Sequence, residues 1–193
     1  MNDLSIDHLI DVAKSATAVG TSILEKEYDA VHHGSKKLDV TEKTSAIDLV
    51  TEIDSNTQIA IVKAIQEHFP DHRLIGEEAG AENIGDPSSP YEWIIDPLDG
   101  TTNFIHGKHS FGTIIGVQKD GILLAGAMHM PLLNQWFFGG KGAGAYFNDD
   151  TVKLRKTGRL QDAILNCNLI HRTKDIDGTL HVTLPPCRSI ENY

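Results

Sequence analysis

An α+β fold, with helices layered on one face of a sheet, is predicted by three features of this 193-residue sequence. Two early segments repeat apolar residues at helical spacing, short apolar runs punctuated by turn residues fill the middle, and Pro70 separates the two patterns.

The first helix is expected from Ser5 to about Ala30. Leu9, Val12, Ala16, Val19, Ile23 and Leu24 form its apolar face, and Ser5 is its N-cap. The polar stretch "VHHGSKKLDVTEKTSAI" then reads as a loop or hairpin. A second helix is expected from about Asp54 to Phe69 on Ile59, Val62, Ile65 and Phe69, with Pro70 stopping it. "RLIGEE" and "WIID" follow as strands that each end in carboxylates. From His109 onward "SFGTIIGVQ", "GILLAGAMHM", "NQWFFGG" and "GAGAYFN" alternate with turn signals at Asp120-Gly121 and Met130-Pro131, which predicts an antiparallel meander. "GGKGAGA" from Gly139 has no Lys-Ser or Lys-Thr after its glycines, so it reads as a sheet turn with close backbone packing, not a phosphate loop. The pattern places one α+β domain over residues 1–170 and a divergent tail over 171–193, which has only a short alternating stretch near Leu180–Leu184.

Composition narrows the function. With 40% hydrophobic and 23% charged residues the chain can bury a core. Its 27 acidic against 17 basic residues give a net charge of −10, which argues against a nucleic-acid backbone or an anionic membrane as partner. If the ligand is itself an anion, metal ions must do the attracting. No apolar run approaches the roughly 20 residues of a membrane-spanning helix, and the acidic start "MNDLSIDHLID" makes a cytoplasmic location the expectation. Cys167 and Cys187 have neither zinc-type nor redox spacing. His32, His33, His106, His109 and His129 lack the spacing of a zinc-hydrolase helix and read as surface or packing residues.

The chemistry concentrates in "WIIDPLDGTTNF", Trp93 to Phe104. A buried strand that runs into two aspartates three positions apart places like charges together, which a folded protein tolerates best with a cation between them. Pro97 fixes the turn after Asp96, Asp99 follows within reach, the Leu98 carbonyl can point into the same space, and Gly100 permits a tight turn into a short helix at "TTNF". Three oxygens on one turn suit Mg²⁺, a hard cation that keeps several waters and leaves positions for substrate phosphate. Glu77 in "GEE" and Asp48 in "DLVTEID" are further carboxylates for an acidic pocket. Each has a plainer alternative: "GEE" as a solvated turn, Asp48 or Asp54 as a helix cap. "DPLDGTTN" is harder to dismiss, since a plain turn needs no second aspartate and no hydroxyls behind the glycine.

"DLVTEID" at 48–54, "IGEE" at 75–78, "WIIDPLDGTTNFIHG" at 93–107 and "GKGAGAYFND" at 140–149 resemble, in order and spacing, the inositol monophosphatase family of lithium-sensitive, magnesium-dependent phosphatases. The resemblance runs from about Ile6 to Ile170. It implies a layered α/β sandwich of the sugar-phosphatase type, here with the C-terminal α/β half missing. It also implies that Glu77, Asp96 and the Leu98 carbonyl hold one Mg²⁺, and that Asp96 and Asp99 supply two ligands of a second. Asp48 and Thr101, with Glu77, would serve the attacking water, and Leu98, Asp99, Gly100 and Thr101 would line the substrate. The implied reaction is two-metal-assisted hydrolysis of a small phosphate monoester, inositol 1-phosphate first, by a possible homodimer. Fructose 1,6-bisphosphate, histidinol phosphate, galactose 1-phosphate and adenosine bisphosphate are substrates elsewhere in the superfamily. The family's later "WD" motif, whose aspartate completes the second metal site, has no counterpart: neither Trp93 nor Trp136 precedes an aspartate, and "DIDG" at 175–178 does not match it. An inactive form that works only through binding is the competing expectation.

Overall fold

The computed structural model describes residues 4–34, 43–77, 84–154, 158, 172–174 and 180–182. The chain divides into two compact units, Met1–Lys153 and Leu154–Tyr193. In the second, β8 (Arg172–Lys174) pairs antiparallel with β9 (Leu180–Val182).

The first unit opens with α1, Ile6–His32, whose N-cap is Ser5 as expected. Its buried stripe passes through Leu9, Val12, Ala13, Ala16, Thr17, Gly20, Leu24 and Tyr28. Val19, expected on that stripe, is exposed. Gly20 carries the contact instead, because a Cβ there would stand 2.7 Å from Ile61 Cδ1. The absent side chain lets α1 close on its neighbour.

Helix α2, Lys43–Gln66, begins well before the expected Asp54 and absorbs part of the segment read as a loop. Its buried stripe is Ile53, Asp54, Thr57, Gln58, Ile61, Val62 and Ile65, while Ile59 is 66% exposed. Val62, Ile65 and Phe69 are buried as expected, and Ile59 turns outward because three positions of the stripe are the polar residues Asp54, Thr57 and Gln58. Thr57 Oγ1 satisfies itself on the Ile53 carbonyl at 2.7 Å, and the Gln58 side chain fills the space that a Cβ at Gly76 would occupy.

The helices lie on one seven-stranded sheet whose spatial order is its chain order: β1 (Arg73–Gly76), β2 (Tyr91–Asp99), β3 (Gly112–Lys119), β4 (Ile122–Met130), β5 (Gln135–Gly140), β6 (Gly144–Phe147) and β7 (Asp150–Thr151). From β2 onward every pairing is antiparallel, the expected meander, and β1 alone runs parallel to its neighbour. Asp120 (φ 50°) and Gly121 (φ 79°) form the β3–β4 turn with both residues left-handed, which matches the twist of a two-residue hairpin. Pro131 begins the 3₁₀ turn Pro131–Leu133 between β4 and β5. The glycine-rich run ends β5 and begins β6, with Lys141-Gly142-Ala143 as the turn between them.

Two apolar clusters hold these layers together. The larger joins Leu9, Val12, Ala13 and Ala16 of α1 and Ile61 and Ile65 of α2 to Trp93, Ile95, Ile115 and Val117 of the sheet. The smaller gathers Leu24, Tyr28, Val31, Ile53, Leu98, Phe104 and Phe111. Burying Phe104 and Phe111 stabilises by about 1.5–3 kcal/mol each, so the turn that follows β2 rests on an apolar floor.

Candidate active site

Strand alternation sets the site. Trp93 and Ile95 of β2 point to the helices and are buried, so Ile94 and Asp96 point to the opposite face. In the parallel pairing with β1, Gly76 stands opposite Ile95, and the Glu77 N–H donates to the Ile95 carbonyl at 3.2 Å. Glu77 therefore arrives beside Asp96, on the same face. β2 does not end at Asp96 as its sequence indicates: it continues to Asp99 through a bulge, because Asp96 pairs with Ile114 and Asp99 with Gly112. Three steps on one strand against two on the other push the intervening turn outward.

Gly100 then adopts φ 84°, and α3, Thr101–Ile105, starts on it. A Cβ at Gly100 would meet the Ser110 carbonyl at 2.8 Å, so both conformation and space require glycine. The Gly100 carbonyl accepts from the Asn103 and Phe104 amides at 2.8 and 3.0 Å, and Thr101 Oγ1 donates to the Leu98 carbonyl at 3.1 Å. The short helix is gripped from α1. Tyr28 Oη donates to the Gly107 carbonyl at 2.7 Å, and His32 Nε2 lies 2.8 Å from the Phe104 carbonyl, which makes that nitrogen the proton-bearing one. Asn103 Nδ2 donates to the Ser110 carbonyl at 2.7 Å.

Asp96 is the electrostatic centre. Burial, then the charges of Glu77 and Asp99, then the side chain of Glu77 as a hydrogen-bond partner push its pKa up to about 7, against a lowering from the Leu98 N–H beside it. Its Oδ1 is buried and has no hydrogen-bond partner. A buried oxygen with no donor, pressed by two other carboxylates, is the arrangement that a cation relieves. Among the described residues no group of three or more His, Cys, Asp or Glu side chains forms a ready-made metal cage. The carboxylates thus lie within mutual reach without being closed around a point.

Glu77, Asp96, Leu98, Asp99, Gly100 and Thr101 thus share the C-terminal end of β1 and β2. Asp48 lies inside α2, past its first turn and not at a cap, and its side chain falls outside the described residues. Asp54 is also inside α2. Glu78, Asp175–Gly178, Cys167 and Cys187 lie outside the described residues. His129 stacks on Trp136 at 4.0 Å with Nδ1 2.8 Å from Thr21 Oγ1, while His33, His106 and His109 are exposed. Sequence reasoning missed the supports. Tyr28 and His32 occupy ordinary helix positions, and only the fold brings them to α3.

An α+β domain that gathers carboxylates at two strand ends, beside a glycine turn opening a helix, has the fold of the inositol monophosphatase and SuhB structures. The chain is a member of the inositol monophosphatase family, whose sequence profile matches residues 5–183. A fructose-1,6-bisphosphatase/inositol-1-monophosphatase from Aquifex aeolicus is 36% identical over 154 residues, 80% of this chain and 55% of that protein. Inositol monophosphatase 1 of Solanum lycopersicum is 34% identical over 83% of this chain and 57% of its own length. Among solved structures, the extragenic suppressor protein SuhB of Bartonella henselae superposes with a TM-score of 0.65 at 27% identity, over 79% of this chain and 56% of that one. The chain spans about half the length of the curated relatives it matches.

Proposed function

We propose that the chain carries the metal-binding and phosphate-binding half of a Mg²⁺-dependent phosphomonoesterase acting on inositol 1-phosphate or a similar polyol phosphate. The observation that supports this most is Asp96, half-buried with an unpartnered oxygen and flanked by Glu77 and Asp99. Glu77, Asp96, Asp99 and the Leu98 carbonyl would hold Mg²⁺, consistent with its preference for oxygen ligands.

When bound, the metal would supply Lewis acidity to the phosphate and to the attacking water. The remaining roles fall to the chain. Asp96 would hold the metal as its carboxylate, its proton passing to solvent. Thr101, fixed on the Leu98 carbonyl, would orient the water together with Asp48. Gly100, at φ 84°, makes the turn that would present the amides following it to a phosphate oxygen. The partner in this reading is a small phosphate monoester, with Li⁺ as inhibitor and a cytoplasmic homodimer as the working form. The charge of −10 favours a small ligand delivered with cations over a nucleic acid.

Mg²⁺-dependent phosphate release from inositol 1-phosphate tests the proposal. Activity is expected to vanish with EDTA and in Asp96→Asn, and to persist in His106→Ala, which alters an exposed side chain. Equal loss in both variants would misplace the site. A second reading has its own support: relatives at 35% identity bear the name putative Nus factor SuhB, and no ready-made metal cage stands among the described residues. Wild-type silence, with Mg²⁺ still bound, would favour a binding role over catalysis.

A further inference from the structure

A single peptide group connects the interior of the sheet to the Asp96 carboxylate. At the bulge between Asp96 and Asp99 the β2–β3 ladder is interrupted, and the Pro97 carbonyl accepts instead from Thr113 Oγ1 at 2.9 Å, within the core. The N–H of the same peptide belongs to Leu98. In a trans peptide it points opposite to that carbonyl, and it faces the Asp96 carboxylate. One hydroxyl therefore fixes the plane whose other end faces the carboxylate.

Thr113 has little freedom to do otherwise. It is 0% exposed, and a Cβ added at Gly20 of α1 would lie 3.0 Å from its Oγ1, so helix and strand confine the hydroxyl from both sides. Its β-branch restricts χ1 further. Removing the hydroxyl would leave the Pro97 carbonyl buried without a donor, a cost the turn can escape only by rotating that peptide. Rotation would take the Leu98 N–H from Asp96 and tilt the adjoining Leu98 carbonyl, which Thr101 also grips.

We propose that Thr113 is a positioning residue of the metal site, holding the Asp96 carboxylate and the Leu98 carbonyl in register through the Pro97–Leu98 peptide. The proposal deepens the phosphatase reading and rests on it for the identity of the cation. It adds a residue from outside the motif-bearing turn, on a strand whose sequence shows only an ordinary threonine.

The test uses the full 193-residue chain with two readouts: Mg²⁺ affinity by titration calorimetry, and hydrogen exchange of the Leu98 amide in metal-free protein. Thr113→Val is expected to weaken Mg²⁺ about 10-fold, as loss of a residue supporting a ligand does, and to speed Leu98 exchange. Thr113→Ser is expected to restore both. Val117→Ala, in the same strand's core but away from the turn, should lower the melting temperature while keeping wild-type affinity. Should the valine variant not fold, Thr113→Ala takes its place. Wild-type affinity and exchange in the hydroxyl-free variant, or equal weakening by Val117→Ala, would overturn the assignment. A wild-type chain that binds no Mg²⁺ would overturn the metal reading, and Leu98 exchange would then decide the peptide's tether alone.

Discussion

Asp96 shows what a half-buried carboxylate does to the fold that carries it. Its pKa in the folded chain is about 7, against an ordinary value of 3.8, so the folded state binds the proton more tightly than the unfolded state does. The sign follows: this group favours folding below about pH 4, and that contribution is lost as pH rises toward and through 7. Asp96→Asn removes the penalty. In metal-free protein at pH 8 the variant is expected to melt about 2–4 °C above wild type, an increment reduced for the group's partial solvent access. The advantage should disappear near pH 3.5. Differential scanning fluorimetry with EDTA at both pH values checks it, and an Asn variant melting lower at pH 8 would contradict the raised pKa. The same substitution that should abolish activity should thus stabilise the empty fold.

Elements were legible where local chemistry dictates them and illegible where partners do. Ser5 capping α1, the Asp120-Gly121 hairpin and the proline-led turn at Pro131 each follow from backbone preference alone. Ile59 was misread because Thr57 and Gln58 belong to the buried face, a choice made by Gly76 and the Ile53 carbonyl, neither visible in a hydrophobic pattern. The bulge that carries β2 past Asp96 has the same origin: its register is set by β3. Of the candidate site, the DPLDGTT turn and Glu77 could be read directly, whereas Thr113, Tyr28 and His32 reach it only through tertiary contact.

The junction between α2 and β1 gives a prediction at this scale. His72 stacks between Phe69 at 4.4 Å and Tyr91 at 4.7 Å, and its Nδ1 accepts from Nε1 of the wholly buried Trp93 at 3.0 Å. Burial lowers its pKa, with the Asp71 charge opposing. A lowered folded pKa for a base gives stability that is present above about pH 6.5 and lost as pH falls through the folded value, when the protonated Nδ1 can no longer accept. His72→Phe keeps the stack but strands the Trp93 N–H, and should cost about 1–3 kcal/mol in urea denaturation despite its greater hydrophobicity. His72→Asn, which offers an acceptor without titrating there, should remove the loss of stability at acid pH and leave the Asp96 contribution, which rises as pH falls. A phenylalanine variant as stable as wild type would show that the indole does not depend on the imidazole.

At the scale of the molecule, the two sheet faces differ. One is filled by α1 and α2, while the other exposes Ile94 (45%), Leu123 (63%), Phe137 (39%) and Val152 (41%) around a groove of about 590 Å³ that Asp96 also lines. Apolar surface in one contiguous groove drives association, and a net charge of −10 opposes it over distances that salt screens. The balance makes association of this chain salt-promoted, the reverse of what a charge-driven contact would show. Sedimentation velocity at about 50 and 500 mM NaCl, where the screening length falls from above 10 Å toward 4 Å, should show larger species at the higher salt. Leu123→Asp with Phe137→Asp should abolish them. Association that weakens with salt, or survives the double substitution, would place the sticky surface elsewhere. The same groove borders the acidic pocket, so whatever covers it also sets the polarity around Asp96.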